Sequence, residues 1–214
     1  MLIGICGKSG SGKSTLARSI IEGQKNNSYI EDENDRFKEL LYERIRNEFV
    51  NTYGKLDYNA IHVDVDKIGH KALLDEDVKK ELINSFGKEI LSDEVIDRKK
   101  LGDLVFNSRS EMKKLSDITW RYMEKEIDSI IENNKDKVII LDWILLPLTK
   151  YFKMCRYRIL LDVDYELRKS RVLLRDNISE DDFELRDSSS IEYDKDDFDF
   201  VITIKEAKRV LKIW

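Results

Sequence analysis

Eight consecutive residues, Gly7-Lys8-Ser9-Gly10-Ser11-Gly12-Lys13-Ser14, fit the pattern G-x-x-x-x-G-K-[ST] in full. The glycines let the backbone turn so that successive N–H groups converge on one anion. Lys13 adds a reaching positive charge, the Ser14 hydroxyl suits a hard cation, and Thr15 continues the nucleotide-binding run. Before the pattern, the apolar run Leu2-Ile3-Gly4-Ile5-Cys6 reads as a short buried strand; after it, Leu16, Ala17, Ile20 and Ile21 have helical spacing. A turn from strand into helix adds the positive end of the helix dipole to the cradle. With Gly near 7% of residues, the bare pattern arises by chance in roughly one chain in a hundred, and the strand and helix around it make chance rarer still. The chemistry predicted is capture of the phosphates of ATP or a close relative with Mg²⁺, Lys13 on the β- and γ-phosphates and Ser14 on the metal.

Acids at strand ends are the next candidates, because ligands of open α/β sheets lie outside the carboxyl ends of the strands. Asp64 and Asp66, Asp142 and Asp162 each stand where an apolar stretch ends. A carboxylate near an acceptor hydroxyl can orient and deprotonate it, and Asp66, just past the second strand, is placed for that role. Asp142 follows Val138-Ile139-Ile140-Leu141 and suits a metal-holding acid. Helix or turn capping is the competing role for all of them. His62, Asp64 and Asp66 alternate along one stretch and offer a transition-metal site as an alternative, set against a His62 that is solvated or paired in the core. Arg168, Arg171 and Arg175 recur at helical spacing, and planar guanidiniums match a transferring phosphoryl group. Such a helix suits a lid, with a solvated, acid-paired face as the plainer alternative.

These groups need a scaffold. The pattern predicts strands at Ala60 to Val65, Val138 to Leu141, Tyr157 to Leu161 and Phe200 to Ile204, separated by helices at about 67–74, 76–86, 97–106, 110–133 and Asp164 to Arg175. Strands alternating with helices imply an α/β, three-layer fold: a parallel sheet of about five strands flanked by helices. The Ala60 to Val65 strand is oddly polar for the middle of such a sheet. Further helices are expected from Asp35 to about Thr52, with Phe37, Leu40, Leu41, Ile45 and Phe49 on one face, and at the C-terminus through Ile213. The acidic stretch Glu180 to Asp199 reads as a loop with a short helix. The expected organisation is one domain, 1–214, with an inserted helical segment at about 24–59 and a lid at about 168–195.

Composition narrows the class. The 214 residues carry a formal net charge of −5, with pI near 5.3, which argues against nucleic-acid or anionic-membrane partners, both of which need a basic face. No apolar stretch approaches the roughly 18 residues of a spanning helix, and no signal peptide is evident, so a soluble, cytoplasmic protein is expected. Two cysteines, Cys6 and Cys155, make neither a disulfide framework nor a zinc site. Nothing in the pattern selects an oligomeric state.

Beyond the cradle, the chain resembles the dephospho-coenzyme A kinases, members of the P-loop kinase superfamily. The resemblance rests on Val63-Asp64-Val65-Asp66-Lys67-Ile68, on Phe86-Gly87-Lys88-Glu89-Ile90-Leu91, and on Asp97-Arg98-Lys99-Lys100-Leu101-Gly102-Asp103-Leu104-Val105-Phe106. Leu115 to Thr119, Leu141-Asp142-Trp143-Ile144-Leu145-Leu146 and the pair Arg171 and Arg175 extend it. The chain differs where Trp120-Arg121 stands for His-Pro, Gly69-His70 for Ala-Arg, and Ile144 for Pro. The resemblance implies that ATP·Mg²⁺ donates its γ-phosphoryl to the ribose 3′-hydroxyl of dephospho-CoA. Asp66 would orient or deprotonate that hydroxyl, and Lys13, Ser14 and Asp142 would serve the donor and its metal. Arg171 and Arg175 would stabilise the transferring group; Asp64, Arg98 and the helices at about 67–133 would hold the acceptor. A nucleoside or nucleoside monophosphate is the alternative acceptor, and a nucleotide-driven switch or partner-binding module the alternative class.

Overall fold

The uninterrupted apolar runs of the chain become the interior of a parallel sheet. A computed structural model describes residues 1–22, 43, 44, 47, 51, 59–105 and 108–204. They fall into two compact units, one of Met1–Val63 with Asn134–Trp214 and one of Asp64–Asn133.

In the first unit, β1 (Leu2–Cys6), β2 (Ala60–Asp64), β5 (Val138–Asp142), β6 (Tyr157–Val163) and β7 (Phe200–Ile204) form a five-stranded sheet in the order β2-β5-β1-β6-β7. β1 pairs in parallel with β5 on one side and β6 on the other, and β6 pairs in parallel with β7. Every residue of β1 and β5 is buried, as central strands covered on both faces require. Among the described residues β2 is an edge strand, which removes the oddity of its polar His62 and Asp64: an edge tolerates side chains that a central strand excludes. Its core is one cluster in which Leu16, Ala17 and Ile20 of α1 (Lys13–Glu22) meet Ile3 and Ile5 of β1, Ile140 of β5 and Ile159 and Leu161 of β6. A fully buried Ile or Leu of this kind contributes about 1.5–3 kcal/mol.

The second unit begins with α2 (Val65–Ala72), two residues earlier than the periodicity predicts because Asp64 caps it, accepting from the Lys67 N–H at 3.2 Å. α3 (Glu76–Phe86) is capped by Asp75. The two-residue strands β3 (Leu91–Ser92) and β4 (Val95–Ile96) form an antiparallel hairpin absent from the sequence reading. Asp93 and Glu94 at its tip both have positive φ, the geometry of tight two-residue hairpin turns. α4 (Arg98–Val105) and the long α5 (Arg109–Glu132) follow, with Ser108 capping α5. α5 packs on α2, α3 and α4, and Val78, Leu82, Phe86, Ile90, Ile96, Leu101 and Val105 form a separate core.

Back in the first unit, a short helix α6 (Lys150–Met154), also not anticipated, is capped by Thr149. α7 (Tyr165–Asp176) starts at Asp164, whose carboxylate accepts from the Glu166 N–H at 3.0 Å, and stops at Asn177 in the left-handed conformation. Part of the acidic stretch after it forms a nine-residue helix, α8 (Glu180–Ser188), set by a capping box between Ser179 and Asp182. Asp162 lies inside β6 rather than at its end and is paired with Lys195. The expected helix from Asp35 to Thr52 and the C-terminal helix lie almost wholly outside the described residues.

Both cysteines are buried and free. Burial pushes the Cys6 thiol far up and the Cys155 thiol up to about 12, so neither forms the thiolate that reacts. Titration of the native protein with a thiol-specific disulfide reagent at pH 8 should therefore modify no cysteine, and both should react once denaturant is added.

Candidate phosphate-binding site

The turn between β1 and α1 is shaped by glycine. Gly10 (φ +79°) and Gly12 (φ +94°) occupy conformations that side-chain-bearing residues rarely adopt. At Gly10 there is a second reason: an added Cβ would come within 2.6 Å of the Arg168 carbonyl oxygen and 2.9 Å of Val172 Cγ2. The body of α7 thus presses against the loop. Inside the turn, the Ser11 N–H donates to the Lys8 carbonyl at 3.1 Å, and the N–H groups of Thr15 and Leu16 both donate to the Gly12 carbonyl at 3.0 Å, closing the first turn of α1.

Asp142 stands beside this turn because of sheet register. β1 and β5 place Ile5 opposite Asp142, and the Trp143 N–H donates to the Ile5 carbonyl at 3.1 Å. The Asp142 side chain is buried and takes two donors on one oxygen, Oδ2: the Ser14 hydroxyl at 2.5 Å and His62 Nε2 at 3.1 Å. A hydroxyl and a carboxylate in contact are hard oxygen donors, the set Mg²⁺ prefers. Among the described residues no cluster of three His, Cys, Asp or Glu could hold a metal, so the alternative of His62, Asp64 and Asp66 as a transition-metal site is not assembled. His62 is instead paired with Asp142, while Asp66 lies in the first turn of α2, not on the strand.

The three arginines of α7 divide by role. Arg171 Nη1 donates to the Gly10 carbonyl at 3.2 Å, and Arg175 Nη2 lies 3.5 Å from Ser9 Oγ; both reach the loop. Arg168, expected with them on a lid face, is instead buried. Its Nε donates to the Val163 carbonyl at 3.1 Å and its guanidinium grips both carboxylate oxygens of Asp187 on α8.

Residues that sequence reasoning missed close the loop from the far side. The Tyr193 hydroxyl accepts from the Gly7 N–H at 3.3 Å and donates to the Ile144 carbonyl at 2.9 Å. Its neighbour Glu192 pairs with Lys8. No motif or periodicity marks this segment; its acidic composition was the single signal.

In the second unit, Asp64 caps α2 and pairs with Lys67 at 3.0 Å, whereas Asp66 is exposed. Arg98 Nη2 donates to His70 Nε2 at 2.7 Å. Burial and the Arg98 guanidinium hold His70 below its usual range, which keeps the ring neutral and able to accept. Arg121 pairs with Glu81 at 2.8 Å.

A parallel α/β sheet whose central strand runs into a glycine-built anion cradle, with a lysine in it and a buried strand-end aspartate beside it, defines a P-loop kinase fold. The chain belongs to the dephospho-CoA kinase family: the family model "CoaE: Dephospho-CoA kinase" matches residues 51–202. It is 34% identical over 181 residues to the dephospho-CoA kinase of Fusobacterium nucleatum, covering 84% of this chain and 75% of the relative. It is 33% identical over 133 residues to that of Aquifex aeolicus, covering 61% and 67% respectively. The crystal structure of TT1252 from Thermus thermophilus shares the fold, with a TM-score of 0.65 at 20% identity over 99% of this chain and 94% of that one.

Two substitutions test the frame of the site. Arg168→Ala strands the Asp187 carboxylate in a largely buried place and should cost about 3–5 kcal/mol in urea unfolding. Tyr193→Phe leaves a backbone N–H and a carbonyl without their shared partner and should cost about 1–3 kcal/mol in the same measurement.

Proposed function

We propose that this protein transfers the γ-phosphoryl group of ATP to the ribose 3′-hydroxyl of dephospho-CoA, giving CoA and ADP. The observation that carries the reading is the Ser14 hydroxyl on the buried Asp142 carboxylate beside Lys13, in a member of this family. The backbone N–H groups of Gly10 to Ser14 and the Lys13 ammonium hold the β- and γ-phosphates, with Thr15 and the Lys8 and Ser9 backbone completing the cradle. Ser14 and Asp142 would hold Mg²⁺, which when bound neutralises charge on the donor phosphates.

Arg171 and Arg175 leave the loop oxygens they now contact to meet the oxygens of the transferring phosphoryl, as guanidinium geometry allows. Asp66 takes the proton of the 3′-hydroxyl as the acceptor oxygen bonds to γ-phosphorus; the bond from γ-phosphorus to the β–γ bridging oxygen breaks and ADP departs. Asp64 fixes the start of α2, which carries Asp66, and Arg98 with the helices of about 67–133 holds the anionic acceptor. Residues 168–195 act as the lid of a single kinase domain in which 24–59 is an insertion, and the reaction belongs to the cytoplasm. Positioning and charge stabilisation suffice, and no covalent enzyme intermediate is required.

A coupled ADP-release assay with ATP and Mg²⁺ tests the reading. Dephospho-CoA should stimulate turnover, nucleosides and nucleoside monophosphates should not, and Lys13→Ala should lower the rate about 100-fold or more. Stimulation by a nucleoside monophosphate instead would move the acceptor assignment, and turnover indifferent to every acceptor would favour a nucleotide switch.

A further inference from the structure

His62 sits on the edge strand β2, where a solvent-facing or apolar residue would satisfy the strand equally well, yet its ring is turned inward, 15% exposed, against Asp142. The Asp142 carboxylate is 3% exposed, and a buried carboxylate needs donors to hold it. It has two, and they converge on the same atom. The Ser14 hydroxyl donates to Oδ2 at 2.5 Å and His62 Nε2 faces Oδ2 at 3.1 Å. A carboxylate accepts, so the ring carries its hydrogen on Nε2. Two donors arriving at one oxygen from separate elements, α1 and β2, fix the rotation of the carboxyl group about its Cβ–Cγ bond and leave Oδ1 outside both hydrogen bonds. Without His62, the Ser14 hydroxyl is the only described side chain that orients the group.

We infer that His62 is a positioning residue for divalent-cation capture: it holds Asp142 Oδ2, and through it the Ser14 hydroxyl, in the arrangement that receives the metal accompanying the nucleotide. The inference rests on the proposed function for the presence of a metal, and goes beyond it in assigning a role to a residue outside the cradle. His62 touches neither phosphate nor acceptor in this scheme and acts through Asp142. Partners that orient a metal-holding carboxylate typically change metal affinity 10–100-fold when removed, and that is the scale expected here.

The test is Mn²⁺ binding to the protein with ADP, followed by electron paramagnetic resonance, alongside calorimetric ADP binding without metal. His62→Leu removes the donor and keeps the bulk; His62→Gln replaces the ring N–H with an amide N–H at a similar reach. The expected result is a Mn²⁺ dissociation constant raised about 10-fold or more in His62→Leu, unchanged metal-free ADP affinity, and recovery toward the wild-type value in His62→Gln. Equal weakening with and without metal would reduce His62 to a general part of the fold and overturn the inference, as would a glutamine variant no better than leucine. Wild-type protein that takes up no Mn²⁺ with ADP would sink the metal reading and this inference together, whereas metal-dependent wild type with an unaffected leucine variant would sink this inference alone.

Discussion

The close approach of α7 to the turn after β1 is the constraint on which the site depends. A side chain at Gly10 would run into the Arg168 carbonyl and the Val172 methyl, so the missing Cβ is what lets a helix backbone lie directly on the loop. That contact brings Arg171 and Arg175, one and two turns along, within reach of the Gly10 carbonyl and the Ser9 hydroxyl. Arg168, on the first turn, has another task. It is buried, and its grip on Val163 and Asp187 ties α7 to the end of β6 and to α8. Removing water from an ion pair is costly unless the geometry is good and the remaining donors are used. Here the guanidinium spends one donor on a backbone carbonyl and two on the carboxylate, so the arrangement fixes the helix against the loop.

Opposite that helix, the sheet sets the carboxylate. Parallel pairing of β1 with β5 puts Asp142 level with Ile5, two residues before the turn, and a slip of one residue would turn its side chain to the other face. The edge position of β2 then permits a histidine to reach the same carboxylate from outside. Tyr193 closes the remaining side by bridging Gly7 on β1's end to Ile144 just past β5. The loop is therefore held by three separate elements, α7, β5 and the 189–199 segment, each through polar contacts to backbone or hydroxyl.

Much of this was legible in the sequence because it is local. The strand, glycine turn and helix of the P-loop pattern, the strands that are apolar throughout and the capping aspartate Asp164 depend on spacing within a few residues, and the structure has each of them. Partnerships across the chain were not legible. Arg168 shares a helical face pattern with Arg171 and Arg175, yet at the start of α7 that face meets the end of β6 and α8, and only the positions of Val163 and Asp187 decide that. Tyr193 and His62 act through residues 186 and 80 positions away, and no periodicity encodes such pairs. The polarity of β2 was visible but its cause, an edge position, is a property of strand order.

The second unit shows how changed residues can be absorbed by pairing. Where the resembling family carries an arginine, His70 accepts a hydrogen bond from Arg98 at 2.7 Å. Two guanidiniums at that separation would repel, since neither can lose its proton or accept a hydrogen bond. A histidine held neutral by burial and by the neighbouring charge can do what a second arginine cannot, and it orients the guanidinium that remains. Arg121, in turn, is matched by Glu81 across α5 and α3. The acceptor-binding region proposed for this unit therefore presents the Arg98 guanidinium in an orientation set by His70.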